Sequence, residues 1–413
     1  MLQSLPLIFV LAGLALYTVL AGADFGAGFW QLFAGRGPQA ERVREHAHHS
    51  MGPVWEANHV WLIFVLTVFW TSYPKAFGSI ASTLGLAMFV AAIGIIFRGA
   101  AYALKSGASA PRESAFIDTV FSFSSILAPF ALGAAVGGIA TDRVPVGNAA
   151  GHLVSSWLNP TSVFIGVLAV CTSAYLAAVY LAADAARHGH RELEREFRWR
   201  ALGAGVVVGG IAIAGIFIVN SDNHRLFHSL LTGRALIAVI VSAVSGGATL
   251  LLVYGRRYEW ARVSGALAVA AIVAGWALAR WPTILPGLTV DQAAAGHEVL
   301  VWVVVCVLGG GALLFPSLAL LFRLTLRGHL RPVETRQGPV AMAPRLQNNS
   351  GRLARSAIAC LIAGAGLLNL ADARWSHGVG VVCLFGFIVL AASAIIPAAL
   401  SERTAATGTG VRR

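Results

Sequence analysis

Two short stretches place acidic and amide side chains beside long apolar runs. In GADFGAGF, Asp24 stands late in the first run, and in PVWEANHVW the residues Glu56, Asn58 and His59 open the second. An ionisable group inside a bilayer is costly, so each acid there needs a partner or a function. These residues are therefore the first candidates for chemistry.

Glu56 and His59 are three residues apart, which places them on one face of a helix. A carboxyl and an imidazole on a shared face can relay protons near neutral pH. Asn58 lies off that face, and we expect it to hydrogen-bond a neighbouring helix. A second interpretation stays open, in which Glu56 and His59 are solvated at a helix entrance and Trp55 anchors the headgroup region.

Small residues accompany the first acid. Gly22, Gly26 and Gly28 have the spacing that lets helix backbones approach closely. Arg98 either pairs with an acid inside the bundle or marks the cytoplasmic end of the third span, and the second is our default expectation. The histidines of REHAHHS, His46, His48 and His49, predict a solvated loop, and no metal site is expected.

The composition predicts a polytopic membrane protein. Of 413 residues, 57% are hydrophobic and only 12% are charged, far from the balance of soluble domains. About eleven apolar stretches are long enough to cross a bilayer. They fall at about 4–31, 52–72, 76–97, 115–140, 160–184, 201–220, 235–254, 262–280, 299–322, 354–371 and 378–400.

The fold class expected is an all-α integral membrane bundle with about eleven transmembrane helices. We expect a transmembrane core at 1–325, a cytoplasmic linker at 326–353, an extra C-terminal hairpin at 354–400 and a cytoplasmic tail at 401–413. The polar stretch before the hairpin contains Pro332, Gly338 and Pro344, which is typical of a linker.

Basic residues predict the orientation. Of the 30 Lys and Arg residues, 24 fall in alternate loops and the tail, and cytoplasmic loops retain such residues. The N-terminus should therefore lie outside and the C-terminus in the cytoplasm. The same bias accounts for the net charge of +12 through anionic lipid headgroups, so a nucleic-acid partner is not expected.

The two opening motifs resemble subunit II of the cytochrome bd-type quinol oxidases. In that family the first span ends in G-F-D-x-G-x-G and the second opens with G-P-x-W-D-G-N-x-x-W. Looser matches follow at FRGAAY (97–102), WLNPTSVFIGVL (157–168) and RWPTILPG (280–287). The resemblance covers about residues 1–330 and includes the nine-span family core.

The resemblance implies a non-catalytic subunit of a quinol:oxygen oxidoreductase in a bacterial or archaeal cytoplasmic membrane. Its partner, subunit I, would hold two b-type haems and haem d and oxidise quinol, and small accessory subunits are possible. Subunit II would ligate no haem, stabilise subunit I and take protons from the cytoplasm through Glu56 and Asp24. The location of the twelve histidines in loops or at span ends favours the same assignment.

Several positions depart from the family pattern and indicate a divergent branch. Glu56 replaces the commoner Asp, Ala57 replaces Gly, His59 stands where Gln is frequent, and Ala21 replaces an additional Asp.

Two other functions remain open from the residues alone. Glycine-interrupted helices with intramembrane acids also occur in proton- or ion-coupled transporters, although such proteins should carry charges deep in several spans. A structural membrane scaffold would leave Glu56 expendable.

Overall fold

The computed structural model describes residues 2–35, 37–51, 55–105 and 111–326, and short helical pieces between 355 and 390. The helices are α1 (Leu5–Leu32), α2 (Pro38–Met51), α3 (Trp55–Ser72), α4 (Pro74–Thr83), α5 (Gly85–Lys105), α6 (Pro111–Ala140), α7 (Pro160–Arg187), α8 (Arg191–Asp222), α9 (His224–Leu230), α10 (Gly233–Tyr254), α11 (Tyr258–Arg280), α12 (Val290–Ala293) and α13 (His297–Leu326), after a 3₁₀ turn at Leu2–Ser4.

Eight of these helices are long and apolar enough to cross a membrane: α1, α5, α6, α7, α8, α10, α11 and α13. A shorter apolar helix covers Asn58–Ser72 within α3. The helical membrane bundle expected from the sequence is thus confirmed, whereas the number of eleven spans stays a prediction. The expected linker beyond Leu326 and the tail at 401–413 lie outside the described residues, and the hairpin is described only in pieces.

The apolar run at 76–97 differs from the single span expected. It is divided at Leu84 between α4 and α5, and α5 continues to Lys105. Because the helix extends past Arg98, that residue lies inside the bundle rather than at the end of a span.

The first compact unit, Met1–Ala319, is built around α1. This helix packs against α3, α6, α7 and α11, and its second half is almost continuously buried from Ala21 to Gly28. Because α1 is surrounded by other helices on most sides, its buried positions carry small side chains or side chains that bind a neighbouring helix.

Local capping defines the start of α7 in the NPTS stretch, residues 159–162. The Asn159 side-chain oxygen accepts a hydrogen bond from the Ser162 amide at 3.0 Å, and Pro160 occupies the first helical position. This sets the residue at which α7 begins, and the helix then packs along α1.

At the opposite end from the arginine-rich loops, a two-stranded antiparallel hairpin pairs β1 (Thr283–Leu285) with β2 (Leu288–Thr289). Ion pairs tie this end together, with Arg280 bound to Asp142 at 2.8 Å and Arg143 to Asp222 at 2.7 Å. The loops there hold the helix ends in fixed positions.

The second compact unit, Leu320–Arg413, contains short helical pieces that pack on one another. A Cβ placed on Gly364 would lie 2.9 Å from the Leu384 side chain, so these two helical pieces are in close contact.

Candidate functional site

A buried ion pair lies inside the first unit. The Asp24 Oδ1 atom of α1 is 2.6 Å from an Arg98 guanidinium nitrogen of α5, and the two side chains are only 1% and 2% exposed. The same nitrogen also reaches the Asp24 backbone carbonyl at 3.2 Å. Arg98 therefore pairs with an acid inside the bundle, and the expectation that it marks the end of a span is wrong.

Further contacts hold the guanidinium in place. Arg98 Nε donates to Ser125 Oγ on α6 at 3.0 Å. The guanidinium carbon lies 5.2 Å from the Phe25 ring centroid and 4.7 Å from that of Phe121, which is within cation–π range. A buried ion pair must recover its desolvation cost through good geometry and added hydrogen bonds, and these contacts provide them.

The ion pair lies well inside the bundle. Asp24 is eight residues from the end of α1 and Arg98 seven from the end of α5, which corresponds to about 12 and about 10 Å along the helix axes. Both ends lie on the side that the arginine bias assigns to the cytoplasm. The pair is thus separated from the arginine-rich loops by about two helical turns.

Asp24 also has polar and aromatic neighbours toward α3. The His59 ring centroid is 6.0 Å from both the Tyr17 and the Phe25 ring centroids. Within the described residues, Asp24 Oδ2 and the Tyr17 hydroxyl are buried without a hydrogen-bond partner. One carboxylate oxygen is therefore fixed by Arg98, and the other is left with hydrogen-bonding capacity.

Residues of the second motif lie on α3 beside α1. Asn58 is buried, and its amide donates to the Leu20 carbonyl at 3.3 Å, which is the interhelical hydrogen bond expected from the sequence. Trp55 and Glu56 belong to the first turn of α3, but their side chains lie outside the described part of the structure. Asn58 and His59 therefore lie where α3 packs against α1, the helix that carries Asp24.

The glycines of the first motif allow close helix packing, with differences between positions. A Cβ on Gly26 would overlap the Ser173 carbonyl of α7, and one on Gly28 would overlap the Ser125 hydroxyl of α6. A Cβ on Gly22 would find its nearest atom, Ser173 Oγ, at an ordinary 3.5 Å. Gly26 and Gly28 are therefore required for packing, and Gly22 is not.

A small cavity lies between the ion pair and the arginine-rich end. Its volume is about 10 Å³, which is the size needed for one water molecule. It is lined by Gln31, His48, Ala101, Tyr102, Lys105, Ile117, Asp118 and Phe121.

Two contacts connect this cavity to its surroundings. On its outer side, Lys105 Nζ binds the two Asp118 carboxylate oxygens at 2.7 and 2.6 Å. On its inner side, Phe121 also packs on the Arg98 guanidinium. The cavity therefore lies between the Lys105–Asp118 pair and the Phe121 ring that contacts Arg98.

The histidine-rich stretch differs from the solvated loop expected. It forms α2, and His46 is buried with its Nε2 atom 3.1 Å from the Leu181 carbonyl of α7. Burial lowers the pKa of His46, and the nearby His190 and His188 lower it further. The Leu181 carbonyl and Asp184 oppose this shift with smaller effects. A neutral imidazole therefore attaches α2 to α7. In the described residues no group of three or more His, Cys, Asp or Glu side chains is placed to hold a metal ion.

Three members of the site, Ser125, Tyr17 and Asp118, belong to no motif that was singled out above. Ser125 and Tyr17 are single polar residues in apolar runs, and Asp118 stands near the start of the apolar stretch at 115–140. Tyr17 lies seven residues before Asp24, which is two turns on one helical face. That spacing is the one pattern that could have indicated its position.

Comparison with known proteins identifies relatives of this chain. A profile of the family described as cytochrome bd terminal oxidase subunit II matches residues 2–325. The cytochrome bd-I ubiquinol oxidase subunit 2 of Escherichia coli K12 is 22% identical over 311 residues, which is 67% of this chain and 80% of that relative.

Two further proteins are similar. The cytochrome bd ubiquinol oxidase subunit 2 of Bacillus subtilis strain 168 is 27% identical over 114 residues, 28% of this chain, and this match spans only 33% of that relative. A solved structure of the bd oxidase from Geobacillus thermodenitrificans has a chain that matches with a TM-score of 0.61 at 23% identity, covering 79% of this chain and 98% of that one. This likeness shows a shared fold.

The family match includes both opening motifs, the Asp24–Arg98 pair and every helix from α1 to α12. The resemblance noted from the motifs is thus confirmed over more than three quarters of the sequence. The chain belongs to the cytochrome bd terminal oxidase subunit II family.

Proposed function

We propose that this chain is the non-haem-ligating subunit II of a quinol:oxygen oxidoreductase of the cytochrome bd type. It stabilises the haem-bearing subunit I and provides a route for cytoplasmic protons. The haems, b-type and d-type, belong to subunit I, and quinol is the substrate of the complex. Relatives of this chain are subunits of cytochrome bd ubiquinol oxidases, which supports this assignment.

The main support for the proton route is the buried Asp24–Arg98 pair, in which Asp24 Oδ1 lies 2.6 Å from an Arg98 guanidinium nitrogen. Arg98 holds one oxygen of the carboxylate, while Asp24 Oδ2 stays available to accept a proton or a hydrogen bond. A fixed positive charge beside a buried carboxylate compensates its charge and offsets the cost of desolvation. Arg98 is then a positioning residue, and Asp24 provides the acceptor atom.

The intake begins at the arginine-rich end of the bundle. Asp118 and Lys105 form an ion pair that is about one third exposed, and both line the small cavity. From there a proton passes by way of ordered water toward Asp24 Oδ2. His59, on the neighbouring α3, and Glu56, which the sequence predicts on the same helical face, form the second branch of this route.

The arrangement favours a one-sided intake over a transporter. The buried Asp and Arg side chains of the described residues are Asp24 and Arg98, and they compensate each other. A coupled transporter is expected to carry such groups deep in several helices near the midplane. Transport therefore has less support, and the location proposed is a multi-pass position in a bacterial or archaeal cytoplasmic membrane.

Purification from native membrane tests the assignment. The protein should copurify with a larger haem-containing subunit that shows b-type and d-type absorption bands and quinol-dependent oxygen reduction. Mild detergent keeps the assembly intact, and a C-terminal tag on this chain is used to capture it. Isolation of particles that contain this chain alone and that transport a solute would overturn the proposal.

A further inference from the structure

A groove between α10 and α11 lies outside the site described above. Its volume is about 420 Å³, which falls within the range of small-molecule pockets. It opens at the end of the bundle that the arginine bias assigns to the cytoplasm, where α10 ends and α11 begins. The residues that line it are Leu252, Arg257, Trp260, Val263, Ser264 and Leu267.

The long axis of the groove is apolar and follows α11 into the membrane. Trp260, Val263 and Leu267 are spaced by three and four residues, so they form one stripe that runs for about 10 Å along the helix. They are 68%, 61% and 51% exposed. Ser264 Oγ donates to the Ser245 carbonyl at 2.8 Å, so its hydroxyl is satisfied within the protein.

Arg257 supplies a positive charge at the mouth of the groove. Three neighbouring arginines are held by protein groups: Arg198 by the Tyr254 carbonyl, Arg256 by Glu194 at 3.9 Å and Arg262 by the Tyr180 ring at 4.4 Å. Within the described residues the exposed Arg257 side chain makes no hydrogen bond or ion pair. The adjacent Glu259 does not compensate it, because both Glu259 oxygens bind Arg187 at 2.9 and 2.7 Å.

We propose that this groove binds an anionic phospholipid of the cytoplasmic leaflet. The lipid phosphate pairs with Arg257, the Trp260 indole lies at the level of the headgroups, and one acyl chain follows Val263 and Leu267. Charge complementarity selects this occupant, because an exposed arginine without a protein partner faces anionic headgroups at that depth. A neutral isoprenoid tail or an apolar helix of another chain would leave the arginine unpaired. The proposal rests on the membrane orientation and is independent of the oxidase assignment.

Photo-crosslinking of the intact complex tests the proposal. The complex is placed in phosphatidylcholine nanodiscs that contain a trace of one photoreactive lipid. This probe carries a diazirine on its acyl chain and is phosphatidylglycerol in one sample and phosphatidylcholine in the other. After illumination, mass spectrometry maps the labelled peptides. We expect label on the segment 258–267, with several times more from the phosphatidylglycerol probe.

Two variants give the test its specificity. Arg257→Gln should lower the preference for phosphatidylglycerol about fivefold, the effect of one basic residue near a membrane surface. The control Arg191→Gln removes an exposed arginine at the start of α8, on the same side of the bundle, and should keep the preference.

Addition of inorganic phosphate should not displace the label, because the acyl chain contributes to binding. Equal labelling by both probes, an unchanged preference in Arg257→Gln, or the absence of label from 258–267 because another chain covers the groove would each overturn the proposal.

Discussion

The Asp24 carboxylate of α1 lies 2.6 Å from the Arg98 guanidinium of α5, and both side chains are excluded from the surface of the chain. The pair joins two helices that are distant in the sequence and fixes a charged group about two turns inside the bundle. Its geometry leads to separate expectations for stability and for proton transfer.

Removal of Arg98 alone should destabilise the protein. Arg98→Gln leaves an uncompensated carboxylate in the interior, which costs about 3–5 kcal/mol. The yield of assembled complex and the midpoint of its thermal unfolding should both fall. The double variant Asp24→Asn with Arg98→Gln should recover most of this loss, since no charge remains buried. If the double variant is as unstable as the single one, the pair does not act as described.

Helix packing at Gly26 gives a prediction with an internal control. Gly26→Ala places a Cβ onto the Ser173 carbonyl and within 2.7 Å of the Ala177 Cβ. Overpacking of this kind costs about 1–3 kcal/mol, so less of the chain should be recovered in a monodisperse peak on size-exclusion chromatography. Gly22→Ala, which meets only ordinary contacts, should behave like the parent. Equal recovery of the two variants would contradict the α1–α7 contact.

The attachment of α2 should depend on pH through His46. Because burial lowers the pKa of His46, the neutral form stabilises the folded state above the ordinary value of about 6.5. This contribution is lost as the pH falls through the lowered pKa of His46 in the folded protein, because protonation of His46 there places a charge in a buried position. Hydrogen exchange of the segment 38–51, corrected for its intrinsic pH dependence, should therefore become faster in acid.

A His46→Gln variant provides the control for this pH effect. Its amide can still donate to the Leu181 carbonyl but does not titrate, so exchange should no longer respond to acid. The same acid response in the variant and the parent would show that another group is responsible.

Substitution of Asp118, on the outer side of the small cavity, should affect turnover more than stability. Its ion pair with Lys105 is partly exposed, and such pairs contribute about 0–1 kcal/mol. If the cavity belongs to the proton intake, Asp118→Asn should slow quinol-driven oxygen reduction several-fold with unchanged haem content. The matched control is Glu192→Gln, which breaks the exposed Arg42–Glu192 pair on the same side. Equal oxygen consumption by the two variants would exclude this intake.

The membrane fold was accessible from the sequence because apolar length determines which segments can span. Asp24 and Asn58 were recognised for a related reason, since polar groups in apolar runs are costly and need partners. The pairing of Asp24 with Arg98 did not follow, because 74 residues separate them, and they meet only because α1 and α5 both pack against α6. An arginine near the end of an apolar run gives the same local pattern whether it is buried or interfacial.

The structure of the histidine-rich stretch was missed for a different physical reason. Residues 38–51 are polar on average, which favours a loop, but one side of the segment carries Val43, His46 and Ala47 at helical spacing. All three are buried in the structure. Tertiary packing against α7 stabilises this helix, as is general for short helices with modest propensity.

The most direct test of the proton route is the replacement of Glu56 in the complete oxidase. The complex is reconstituted in liposomes, and oxygen consumption is followed together with proton uptake from the side that corresponds to the cytoplasm. Glu56→Gln should reduce both by about tenfold or more, since a positioned proton-transfer group contributes at least that much. The haem spectrum should stay unchanged, and Glu56→Asp should retain part of the activity. Parent rates of oxygen reduction and proton uptake in Glu56→Gln would contradict the account.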